Sequence, residues 1–214
     1  MHRYFVTGTD TDVGKTVVTA ALATALRAAG DPPTIVKLVQ TGLDPGIEGD
    51  AARAGRLSGC RYLELARFRK AADPWSAAIA EGAPLIHAGD LARTVDGMPG
   101  ALVVEGAGGL AVPLNPHEHV GRFVELARLP LVIAVGLRLG CLNHALLTIA
   151  LCDHARLSIA GLVLVERWGT VEPGYRADVE RTLKDKARIL GILPFAPDDA
   201  TAVAAGASVF SHLP

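Results

Sequence analysis

Several features that would assign a chain to a class at once are scarce here. Net charge is almost absent: 21 Lys and Arg stand against 22 Asp and Glu, leaving −1 over 214 residues. That removes the electrostatic case for nucleic acid or an anionic membrane as partner. The three cysteines, Cys60, Cys141 and Cys152, include no Cys-x-x-Cys pair. They read as reduced thiols of a cytoplasmic protein, not as a disulfide framework or a metal site. Long apolar runs are missing as well: 129–137 and 157–165 fall far short of the ~20 residues that span a bilayer. Strand-like sequence begins by Tyr4, so no secretory leader is expected. Lysine is rare, five against sixteen arginines, so Lys37 at the end of an apolar run stands out. No repeat, linker or low-complexity tract divides the chain, and residues 1–214 are expected to form one domain.

What is present is a glycine loop in a telling context. Gly8-Thr9-Asp10-Thr11-Asp12-Val13-Gly14-Lys15-Thr16 follows the short apolar strand Tyr4–Val6 and opens a helical segment from Val17 to about Ala29. Strand, glycine loop and helix together form the setting in which a P-loop match gains meaning. Glycines let successive N–H groups turn inward, and the helix aims its positive end at a phosphate. Lys15 would reach the β- and γ-phosphates, and the Thr16 hydroxyl would ligate Mg²⁺. Five residues separate Gly8 from Gly14, one more than the common spacing.

Further on, 34–36 reads as a strand ending at Lys37, and strand ends in open α/β sheets face the ligand crevice. The alternative for Lys37 is a surface lysine. Asp50 precedes a helical run and reads as an N-cap or first-turn acid. The stretch 60–82 is poorly patterned: 73–76 reads as a loop and 77–81 as a short helix, with another helix over 90–95. Residues 101–104 form a continuous apolar run, as in a strand buried on both faces. It ends in Glu105-Gly106-Ala107-Gly108-Gly109. An acid there fits a second metal-site carboxylate better than a solvated loop glutamate. Helices are expected at 120–128, through Asp153 after the stretch 139–144, and at 174–186, with a small one at 199–205. Strands are expected at 131–136, 159–165 and 188–193. The first turn after Leu139-Gly140-Cys141-Leu142-Asn143-His144 offers free N–H groups suited to a carboxylate. His144 reads as a capping or packed residue. Strands alternating with helices imply right-handed βαβ units. The fold class is therefore α/β: a P-loop fold with a mostly parallel sheet of about seven strands and helices on both faces.

These motifs together resemble the dethiobiotin synthetase family. Residues 4–16 match its P-loop, five-residue spacing included. Lys37 with Val39-Gln40-Thr41-Gly42, Val104 to Gly109, and Leu139 to Ala145 match three further signatures in the same order. The resemblance implies an ATP- and Mg²⁺-dependent ligase of biotin synthesis that closes a cyclic urea from 7,8-diaminononanoate and CO₂ and works as a cytoplasmic homodimer. It implies Lys15 and Lys37 as catalytic residues. Nucleotide would be held by Asp12, Val13, Gly14, Lys15, Thr16, Val17, Asp50, Glu105, Gly106, Ala107, Gly108 and Pro194. Mg²⁺ would be held by Thr16, Asp50 and Glu105. Thr11, Lys37 and Thr41 would orient the diamine and its carbamate, although on sequence alone Thr41 is equally a turn hydroxyl. Leu139, Gly140 and Asn143 of the neighbouring subunit would hold the substrate carboxylate.

Three departures stand out. Leu38 replaces a usual proline, Trp75 a common histidine, and Val165 an asparagine that reads the adenine edge. Valine has no such hydrogen bonds, so other nucleoside triphosphates are expected to serve in place of ATP. Lys37→Gln is expected to collapse turnover with little loss of fold. The main alternative is a partitioning-type switch ATPase. That class resembles this chain in fold but carries an extra lysine where Thr9, Asp10 and Thr11 stand. An amidotransferase would need a glutaminase domain with a cysteine nucleophile, for which 214 residues leave no room.

Overall fold

The computed structural model describes residues 2–211 and 213. Seven strands alternate with helices: β1 (Arg3–Gly8), β2 (Thr34–Lys37), β3 (Arg61–Glu64), β4 (Leu102–Glu105), β5 (Leu131–Gly136), β6 (Ile159–Val165) and β7 (Ile189–Leu193). They form one sheet in the order β3-β2-β4-β1-β5-β6-β7, and every pairing is parallel. Between them run α1 (Lys15–Ala28), α2 (Asp50–Ser58), α3 (Pro74–Ala80), α4 (Ala88–Asp96), α5 (Val120–Ala127), α6 (Cys141–His154), α7 (Pro173–Leu183) and α8 (Asp199–Ala207).

The strands sort their side chains with period two, as the pleat requires. Tyr4, Val6, Ile35, Val103, Val132, Ala134 and Val163 pack with α1, α2 and α8. Phe5, Val36, Leu102, Val104, Leu131, Ile133, Leu162 and Leu164 pack with α3 to α7. Both faces are therefore covered, which is why the central strands read as unbroken apolar runs. Strand order reverses at the centre. The chain leaves β1 for β2 and β3 on one side, returns to β4, and passes over β1 to β5, β6 and β7 on the other. A crevice opens at such a reversal, outside the carboxyl ends of the strands. Among the described residues no helix is long and apolar enough to cross a membrane.

The expected strands and most helices are present, with shifts at the ends. β3 went unrecognised because it is a four-residue strand on the sheet edge, with Arg61 and Tyr62 exposed and Leu63 and Glu64 half-buried. Residues 74–76 belong to a helix rather than a loop: Asp73 caps α3 by accepting from the Ser76 N–H, and Pro74 opens its first turn. Asp50 is a first-turn acid of α2, behind Gly49 at the N-cap.

Phe123 of α5 is fully buried and meets Phe5 with ring centroids 5.5 Å apart. Phe123→Ala is expected to cost about 3–5 kcal/mol through lost burial and the cavity left behind. A urea midpoint shift with unchanged slope measures this. A loss under ~1 kcal/mol would mean that α5 does not seal that face.

Candidate active site

The crevice is a cleft of about 610 Å³ bounded by the glycine loop, the tips of β2 and β4, the 39–43 loop, α2 and residues 71–74. β1 delivers the chain to its edge. Gly14 closes the loop at φ 93°, and a Cβ there would stand 2.9 Å from Val165 Cγ1. Glycine alone meets both demands. Asp12 adopts φ 56° in the same turn. Thr11, Asp12, Gly14, Lys15, Thr16 and Val17 face the cleft. Val13 points away into the core.

Three charged groups meet at the floor. Lys37 and Glu105 end adjacent parallel strands in register, so they emerge on the same side of the sheet. Lys37 Nζ donates to Glu105 Oε1 at 2.7 Å, to Asp50 Oδ2 at 2.6 Å and to the Gly106 carbonyl at 3.1 Å. Thr16 Oγ1 donates to the same Glu105 oxygen at 3.2 Å. Lys37 is 3 % exposed and Glu105 fully buried. Gln40 fixes the third partner by accepting from the Asp50 N–H at 2.9 Å. Burial disfavours the Lys37 charge, yet Glu105 and Asp50 outweigh it and hold its pKa above the ordinary 10.5. Burial also opposes the Asp50 carboxylate, and the Lys37 ammonium overcomes it, holding that pKa below 3.8. Lys15 differs. Burial is its largest influence and draws its pKa below 10.5, against the pull of Glu105. Its Nζ donates to the Asp10 carbonyl at 2.9 Å.

The Asp10 carboxylate accepts from Arg138 Nη2 at 2.5 Å, and the His144 ring lies 3.8 Å away. His144 thus has an acidic neighbour that sequence proximity concealed. Arg138 stacks over Trp168, 4.8 Å from the ring centroid. Tyr175 donates to the Arg138 carbonyl at 2.7 Å.

A family model described as an AAA domain matches residues 2–201. The ATP-dependent dethiobiotin synthetase BioD of Mycobacterium avium is 41 % identical over 211 residues, covering 94 % of this chain and 93 % of that one. BioD 1 of Escherichia coli is 36 % identical, covering 95 % of each. The chain belongs to the ATP-dependent dethiobiotin synthetase family.

Solved structures match in fold alone. A plasmid partition protein of Borrelia burgdorferi bound to AMPPNP superposes with TM-score 0.62 at 12 % identity, covering 95 % of this chain and 88 % of that one. The septum site-determining protein MinD of Pyrococcus horikoshii, complexed with Mg-ADP, gives 0.60 at 16 %, covering 97 % and 88 %. The partitioning ATPases thus share the architecture of this synthetase-family chain, while whole-length sequence identity lies with the synthetases.

The dethiobiotin synthetase motifs gather unevenly. Thr11, Asp12, Gly14, Lys15, Thr16, Val17, Lys37, Thr41, Asp50, Glu105, Ala107 and Gly108 all line the cleft. Gly106 sits behind it, where a Cβ would meet the Phe5 ring at 2.7 Å. Pro194, Leu139, Gly140 and Asn143 lie outside its walls and are exposed. Leu38 is buried in the core, so apolar packing holds it in place of a proline ring. Trp75 is not on the wall; its neighbours Asp73 and Pro74 are. Arg53 and Arg167 also line the cleft. No motif marked them, because surface arginines are common in this sequence.

The residues present fit a divalent ion. Glu105 Oε2 is buried with no hydrogen-bond partner among the described residues, and such an orphan acceptor invites a water or an ion. Among the described residues no three His, Cys, Asp or Glu side chains gather as a metal site. Here two carboxylates have a hydroxyl as third oxygen, a hard donor set suited to Mg²⁺ with phosphate completing the shell.

The burial of Lys37 revises one expectation. Lys37→Gln removes the cation between two carboxylates, so it is expected to destabilise the fold by about 3–5 kcal/mol as well as to abolish turnover. Thermal melts in EDTA and in millimolar Mg²⁺ check this, with partial recovery expected in Mg²⁺. A melt unchanged in EDTA would show that the pair does not depend on Lys37.

Proposed function

We propose that the chain is an ATP- and Mg²⁺-dependent cyclo-ligase that converts 7,8-diaminononanoate and CO₂ to dethiobiotin. The observation that carries it is the convergence of two lysines and two carboxylates on one cleft, in a chain of this family. The reading takes residues 1–214 as one cytoplasmic domain that pairs with a second copy.

One amine of the diamine adds CO₂ and loses a proton, giving a carbamate. A carbamate oxygen attacks the γ-phosphorus of ATP and ADP departs, leaving a carbamic-phosphoric anhydride. The second amine attacks the carbamoyl carbon, phosphate leaves, and the urea ring closes. Catalysis of this kind is positioning and charge neutralisation. The amides of Asp12, Val13, Gly14, Thr16 and Val17 cradle the phosphates, with Lys15 on the β/γ side. Lys37 bears on the carbamate and the transferred phosphoryl oxygens. Thr11 and Thr41 orient the diamine nitrogens. Ala107 and Gly108, with Gly106 behind them, let the nucleotide approach the backbone, and Pro194 borders the base. Mg²⁺, held by Thr16, Asp50 and Glu105, would supply further charge neutralisation at the phosphates.

ADP release in bicarbonate buffer, with and without the diamine, tests the reaction. Release that depends on the diamine, with dethiobiotin detected by mass, is expected. Release unaffected by the diamine would favour a switch ATPase. In the same assay, Val165 presents only methyl groups at the β6 tip, so kcat/KM for CTP and GTP is expected within about tenfold of ATP. A preference for ATP beyond about a hundredfold would overturn that expectation.

Leu139, just before α6, is 92 % exposed, and Leu147, one turn along α6 from Asn143, is 63 % exposed. Apolar side chains this exposed fit burial by a second copy, whose α6 N–H groups would then receive the substrate carboxylate. Leu139→Asp is expected to give monomers by light scattering and to raise the diamine KM. A dimer with unchanged KM would refute this part.

A further inference from the structure

The cleft wall carries a cation that the motifs do not explain. Arg167 follows the tip of β6 and shares the wall with Gly14, Lys15, Thr16 and Val17. Its Cδ lies 3.8 Å from where a Cβ on Gly14 would stand, so the side chain runs past the residue that caps α1. The guanidinium therefore lies near the positive end of that helix, where anions collect. Its resting partner is weak. Nη2 reaches Asp12 Oδ1 at 3.4 Å, with side chains 37 % and 65 % exposed. A pair so long and so solvated contributes little and is open to exchange. Beside it Val165, buried against Gly14, offers no polar atom to a base.

We propose that Arg167 is a nucleotide-binding residue that turns from Asp12 to the phosphates of an incoming nucleotide and supplies affinity independent of the base. The proposal rests on the nucleotide use of the family and not on the cyclisation chemistry. A guanidinium has five donors in a fixed fork, enough to bind phosphate oxygens while keeping one for Asp12.

Equilibrium binding of ADP, CDP and GDP with Mg²⁺, in the absence of diamine and bicarbonate, tests it. Arg167→Gln is expected to weaken all three by about tenfold, as for loss of a charged hydrogen bond, and to flatten the salt dependence. The same loss is expected in an Asp12→Asn background. Unchanged affinities would overturn the proposal, as would a loss confined to one base. A loss that disappears with Asp12→Asn would also overturn it, because the arginine then only screens that carboxylate. If Arg167→Gln does not fold, Arg167→Lys keeps the charge but not the fork. It is expected to weaken the three diphosphates by about threefold, and unaltered binding would refute the role. No turnover is measured, so failure of the cyclisation reaction would leave this result readable.

Discussion

An ammonium group caught between two carboxylates organises the cleft. Lys37 and Glu105 end neighbouring parallel strands at the same level, and Asp50 opens the helix that follows β2. Each strand is short, and a slip of one residue would turn either side chain to the opposite face of the sheet. The sheet register is therefore what creates the site. The surrounding apolar layers hold that register: Val36 and Val104 pack on one face, Ile35 and Val103 on the other. Desolvating the three charges is costly, and their mutual attraction offsets that cost only while all three remain. The floor of the cleft is thus a unit.

The same arrangement bears on what the floor can do. Lys37 has all three donors engaged, on Glu105, Asp50 and the Gly106 carbonyl. Its pKa is held up, so it stays a cation through neutral pH and beyond 10.5. Such a group serves as a fixed charge toward an anion and not as a base. Lys15 sits under the opposite influence. Burial lowers its pKa, and its one hydrogen bond in the resting site is to a loop carbonyl. A phosphate would meet an ammonium with little to give up. One lysine is tied into the floor as a fixed charge and the other is held by a single loop contact, although both lie on the same cleft.

Most of this was legible in the sequence because local rules set it. The glycine loop lies between an apolar strand and a helix, and Lys37 and Glu105 stand at the ends of apolar runs. Parallel strands buried on both faces announce themselves by continuous Val, Ile and Leu. Short edge elements do not, so Arg61–Glu64 escaped, and Asp73-Pro74 read as a turn before it could be seen as a cap and first turn. The ties of Asp10 to Arg138, and of Asp12 to Arg167, join residues more than a hundred positions apart. Nothing in the spacing of an arginine-rich surface singles out either partner. Those contacts arise from strand order, which places the tips of β5 and β6 beside the loop after β1.

That placement explains how the two halves of the sheet divide their work. The β2 and β4 side supplies the charged floor: Lys37, Glu105 and Asp50. The β5 and β6 side supplies restraint on the glycine loop: Arg138 on Asp10 and Val165 against Gly14. Asp12 holds a positive φ, a conformation that a non-glycine residue keeps only where its surroundings impose it. Arg138 is itself fixed by the Trp168 face and by the Tyr175 hydroxyl, so the loop's shape depends on β6 and α7 as well as on its own glycines. The turn that begins α6 follows Arg138 directly. A copy docking on the exposed Leu139 would press on the same segment that steadies Asp10, and through the Asp10 carbonyl on Lys15. Pairing at Leu139, as proposed above, would in this way be joined to the geometry of the glycine loop through one arginine.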